Sequence, residues 1–171
     1  MPLSAAPLLP PGYMPTGWPV VEPDLLMGYV GHVMVIRLGG GLSAAGFARY
    51  LAEWTRAVDA RPALASVFAM YDIPDWPGMT AVQRKDWGAL LKSREEVLRR
   101  TTRGMVLASP SALTRGGARA LFWLAPPPYP HAVVDTTDAA FGYIAEKGGE
   151  PSGPAVAAYD ALVRRHWLAT E

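Results

Sequence analysis

The sequence predicts an α/β fold: a mixed sheet of four to five strands flanked by helices, with an extra helix at the C-terminus. Three observations carry this. Short runs rich in β-branched and aromatic residues alternate with stretches whose apolar residues recur every three or four positions. Most of the helical stretches begin at a residue suited to capping. Half of the 171 residues are hydrophobic and 18% are charged, enough apolar material to bury one core.

In chain order, Tyr29–Leu38 reads as a strand ended by Gly39-Gly40-Gly41. Ser43 then caps a helix whose inner face is Phe47, Tyr50, Leu51, Trp54 and Val58. Leu64–Tyr71 has the unbroken apolar pattern of a strand covered on both faces. A proline-bearing loop, Asp72–Gly78, leads to Thr80 and Gln83, spaced as a capping box. The helix they open places Trp87, Leu90, Leu91 and Leu98 inward.

Met105–Ala108 is a further core strand, followed by Ser109-Pro110-Ser111, an N-cap with a proline at a first helical position. That helix carries Leu113, Ala120, Leu121 and Leu124 and stops at Pro126-Pro127-Pro128. His131–Val134 is a short strand, and Asp135 or Thr136 caps a helix ending at Gly148-Gly149. Pro154 suits the start of a last helix, reaching about Leu168, with Val156, Tyr159, Val163 and Trp167 along one side. Alternating strands and helices of these lengths imply crossover connections and a largely parallel sheet.

Three zones follow: a proline-rich arm over 1–23, the α/β domain over 24–149, and the C-terminal amphipathic helix over 150–171. Recurrent prolines bar the arm from regular helix. It reads as a flexible tail or as a docked extended segment holding Tyr13, Met14 and Trp18, with Val20 and Val21 as a short edge strand.

Composition narrows the function. A net charge of +1 gives no general attraction to nucleic acid, and the absence of cysteine excludes disulfides, thiolate nucleophiles and cysteine-ligated zinc. No apolar run approaches the roughly 20 residues of a membrane span. Pro7, Pro10 and Pro11 interrupt the apolar start and no positive charge precedes it, so no signal peptide is expected and the location reads as cytoplasmic.

No catalytic or metal-binding constellation stands out, and no cofactor is expected. Gly39-Gly40-Gly41 lacks the G-x-G-x-x-G spacing and the P-loop lysine. His32, His131 and His166 fall in three separate elements without metal-ligand spacing. Ser43, Thr80, Ser109 and Ser111 all stand where a cap is needed. Asp72 and Asp75, at the end of a core strand, form a conceivable acid/base pair, although a turn explains them more simply. The basic residues from Arg84 to Arg103 are interrupted by Asp86, Glu95 and Glu96, as on a solvated helix face.

The segment Tyr71-Asp72 through Pro77-Gly78-Met79-Thr80 to Gln83-Arg84 resembles a D-x-x-x-x-P-G-[LM]-T-x-x-Q-R signature of bacterial STAS-like proteins, those similar to the anti-sigma-factor-antagonist fold. The run Pro110–Gly116 and the stretch Phe122–Pro130 look like a second block of that family. The likeness spans about Trp18 to Glu146. It implies a mixed sheet flanked by helices and a regulatory binding module. In such antagonists a Ser or Thr at the start of the helix after the buried strand is phosphorylated. Here no serine lies in the corresponding region, and Thr80 is its one hydroxyl.

The leading expectation is therefore a non-enzymatic module in a bacterial signalling complex that binds a protein partner, with homo-oligomerisation possible. Its candidate contact residues are Asp72, Asp75, Trp76, Met79 and Thr80 on the loop, with Trp76 and Met79 exposed as anchors, and Tyr159 and Trp167 on the last helix. The alternative is a small apolar ligand or lipid bound in an interior near Trp87 and Trp123. A hydrolase centred on Asp72 is a third reading.

Overall fold

The computed structural model describes residues 13–62 and 65–167. Its sheet has strands β1 (Val20–Glu22), β2 (Leu25–Val30), β3 (Val33–Leu38), β4 (Val67–Asp72), β5 (Thr102–Ala108) and β6 (His131–Val134), side by side in chain order. The first three are antiparallel, and β3 to β6 are parallel. The α/β class is as expected, but the sheet has six strands instead of four to five. Part of the difference is a hidden hairpin: Tyr29–Leu38 is the end of β2, a turn, and β3. Gly31, at φ +56°, opens the two-residue turn, and Val30 pairs with Val33 across it. Apolar residues on both sides disguise the reversal.

The helices are α1 (Ala44–Asp59), α2 (Ala81–Ser93), α3 (Glu95–Thr101), α4 (Ala112–Leu124), α5 (Thr137–Glu146) and α6 (Ser152–His166). The hydroxyls of Ser43, Thr80, Ser111 and Thr136 each accept from the backbone N–H three residues on, and Gln83 Oε1 accepts from Thr80 N at 2.8 Å to complete the capping box. Two details differ from expectation. Pro110 precedes the Ser111 cap and so stands outside the helix. The single helix expected after Thr80 breaks at Arg94 (φ −114°, ψ 10°), whose guanidinium holds Asp59 of α1 with two 3.0 Å bonds.

Because the parallel strands follow one another in order, right-handed crossovers all fall on one face. Side chains of α1 to α4 share a core there with Tyr71, Met105 and Leu107. The other face, with Val35, Phe68 and Val106 buried, is covered by α5 and α6. Gly28 lets α6 come close: a Cβ there would stand 2.9 Å from Leu162 Cδ2. The N-terminal arm lies against the sheet from Tyr13 onward. Trp18 is buried, and the rings of Tyr13 and Trp18 each approach Tyr29 at 5.5 Å. The arm's residues 1–12, and Leu168 at the end of the last helix, lie outside the described residues.

Candidate functional site

Helices α2 and α4 pack sparsely on the sheet, unlike α1. Among the residues of α2 only Trp87 is buried, and among those of α4 only Phe122. Between these two helices lies a groove of about 710 Å³, floored by Tyr71, Met105 and Leu107 of the sheet and closed at one end by the 73–79 loop. Phe47 and Tyr50 of α1 form its back wall, and Leu113, Thr114 and Leu121 of α4 its outer lip. The volume and the aromatic lining are those of small-molecule pockets.

Polar groups on the floor satisfy one another. The Tyr50 hydroxyl accepts from Trp87 Nε1 at 3.0 Å and shares a 3.0 Å hydrogen bond with the Tyr71 hydroxyl. Burial raises the pKa of both phenols above the ordinary tyrosine value, more than the bonds to Tyr50 from Tyr71 and Trp87 lower it there. Both stay neutral and remain hydrogen-bonding groups. At the rim Arg84 donates to the Met79 carbonyl at 2.6 Å.

Strand alternation separates the loop residues into two places. Tyr71 faces the groove, so Asp72 faces α6. There Asp72 is buried, bound by the Arg37 guanidinium and by the Tyr159 hydroxyl, which donates to Oδ2 at 2.5 Å. Arg37 and Asp72 are adjacent in register on β3 and β4. Burial lowers the affinity of Arg37 for its proton, but the charge of Asp72 and the contact with Tyr159 outweigh this and raise its pKa. Burial, then the neighbouring Asp72 charge, raises that of Tyr159. The Trp167 ring lies under the guanidinium, 4.9 Å away. Beside this cluster a polar hollow of about 300 Å³ is edged by Ser109, Asp135 and Thr136.

The candidate contact residues therefore do not converge. Asp75 and Thr80 are exposed: Asp75 accepts from Gly40 N at 2.7 Å, and Thr80 is occupied in its cap. Trp76, expected as an exposed anchor, is 6% exposed and stacks on Phe47 at 6.2 Å. An indole of that size is worth more against the groove wall than in water. Met79 is half-buried at the rim. Tyr159 and Trp167 turn inward onto Asp72 and Arg37. Asp72 and Asp75, with separate partners, share no hydrogen bond. Trp123, expected beside an apolar interior, is 82% exposed, and Leu113 (88%) and Leu124 (74%) of the same helix are exposed as well.

Sequence reasoning missed Tyr50, Tyr71 and Arg37. Arg37 did leave a signal, as the one charged residue in the apolar run Val33–Leu38. Among the described residues no group of three or more His, Asp or Glu is placed to hold a metal ion, and no helix is long and apolar enough to cross a membrane. No protein-family model, curated protein or solved structure matches the chain.

Proposed function

We propose that this chain is a non-enzymatic binding module that takes the apolar part of a small ligand or lipid into the groove between α2 and α4. The observation that carries the reading is the groove itself: about 710 Å³, walled by Phe47, Trp87, Leu107 and Phe122, with its deepest hydroxyls already paired. Such a lining rewards apolar contact and leaves few polar groups to demand a polar ligand. The setting we propose is the cytoplasm.

Titration with a fluorescent fatty acid tests this. Saturable uptake is expected, and Thr114→Phe, which places a ring in the groove from its half-buried lip, should weaken it about tenfold or more while leaving the melting temperature near that of the wild type. Absence of saturable uptake, or an unaffected variant, overturns the reading.

A second reading keeps the STAS-like resemblance, with a protein partner meeting the loop. It is favoured by the exposure of Asp75 and Thr80 at one end of the groove. Native pull-downs of wild type and an Asp75→Lys variant test it: a partner lost only in the variant supports it, and identical captures refute it.

A further inference from the structure

Helix α4 is amphipathic in the wrong sense for a helix that only covers a sheet. At 3.6 residues per turn, Leu113, Gly117, Ala120 and Leu124 fall within about 60° of one another, with Trp123 beside them, and Phe122 points the opposite way. Phe122 is the buried one, so the apolar stripe faces outward. Leu113, Trp123 and Leu124 are 88%, 82% and 74% exposed, and Val82 in the first turn of α2 is 69% exposed. The stripe reaches the mouth of the groove through Leu113.

The charge on α4 has one sign, although Asp75 stands exposed at the end of the groove. Helix α4 contains no acidic residue. Arg84, Arg115 and Arg119 donate to the backbone carbonyls of Met79, Ser109, Pro110 and Val133. Among the described residues no carboxylate forms an ion pair with any of the three, as is also true of Arg61, Arg100 and Arg103, whereas Arg37, Arg49, Arg56, Arg94 and Arg99 each have at least one. These guanidiniums are fixed beside an apolar face with their charge uncompensated.

An outward apolar stripe flanked by arginines is the chemistry of a helix lying in a bilayer interface, with side chains among the acyl chains and guanidiniums at anionic headgroups. We infer that α4 docks this protein on an anionic membrane surface, with the groove mouth against the lipid so that an acyl chain enters directly. A second copy suits the face less well, since pairing two α4 helices brings arginines together with no carboxylate on either helix. The inference rests on the ligand reading above but is tested separately.

The experiment is co-sedimentation of the full chain with vesicles of phosphatidylcholine alone or mixed with phosphatidylglycerol, at low and high salt. Binding to the anionic vesicles is expected to be about tenfold or more the stronger, and to fall with added salt as screening grows. Trp123→Ser/Leu124→Ser, which changes neither groove wall nor core, should weaken it about tenfold. The same double variant should still take up the fluorescent fatty acid from solution. Thr114→Phe should still bind vesicles, so failure of the ligand reading would not be mistaken for failure of this one. Equal binding to both vesicle types, or an unaffected double variant, overturns the inference. So does light scattering that shows a dimer abolished by the double variant, or a soluble protein captured through the stripe by a chain that ignores vesicles.

Discussion

Glu53 shows how a single side chain ties one element to another. Its Oε2 accepts from Trp18 Nε1 at 3.2 Å and from Arg56 Nη2 at 2.5 Å, and its Oε1 lies 3.0 Å from Arg49. The arm is thus fastened to α1. Burial raises its pKa, but the hydrogen bonds from Arg56 and Trp18 outweigh that and leave it below the ordinary glutamate value. A depressed folded pKa means stability that is present above the unfolded value and lost as pH falls through the folded one. Urea melts of wild type and Glu53→Gln should differ most near neutral pH and draw together as the pH falls below the ordinary glutamate value of about 4.3. A gap that stays constant or widens on acidification contradicts this role. Asp72 is held just as firmly, by Arg37 and Tyr159, and one such removal would strand a buried charge.

At the scale of elements, α4 and α6 make opposite use of their apolar residues. On α6, Ala155 and Tyr159 are buried and Leu162 presses on Gly28, so its apolar side is spent on the chain's own sheet. On α4 Leu113, Trp123 and Leu124 face out and Phe122 alone is buried. Deleting residues 151–171 should therefore uncover Val33, Val35 and Phe141 and leave Asp72 with one partner fewer. At about 1.5–3 kcal/mol for each large side chain returned to water, the loss is several kcal/mol. A melting curve and light scattering read it. An unchanged melting temperature and mass would mean that α6 contributes nothing to the fold.

For the whole molecule, the consequential fact is that the strand order never reverses. Open α/β sheets bind ligands where the order reverses and two loops part. With the strands in sequence here there is no such crevice, and the large groove lies between two helices above the sheet. The opposite face needs α5 and α6 to cover it, and Phe68 sits beneath them, 1% exposed, with Phe141 and Val106 in the same core. Phe68→Ala should cost about 3–5 kcal/mol in a urea melt. A loss under about 1 kcal/mol would show that this face collapses readily around the gap.

Local chemistry fixed much of the architecture in advance. The caps at Ser43 and Thr80, the narrowing of another to Asp135 or Thr136, and the bounds of His131–Val134 were legible because each depends on residues within a few positions of one another. The class followed from alternating periods, and Val35, Phe68 and Val106 from runs too apolar for an exposed face. What depends on partners far along the chain was not legible. The turn at Gly31 needs two apolar runs to pair rather than to continue. The burial of Trp76 depends on Phe47, and the meeting of Asp72 with Arg37 and Tyr159 on strand register and on where α6 lands. The outward direction of the α4 stripe was not legible either, since spacing reveals that a helix has an apolar side but not which way it points. Only the packing of Phe122 against the sheet decided that, and with it where the groove opens.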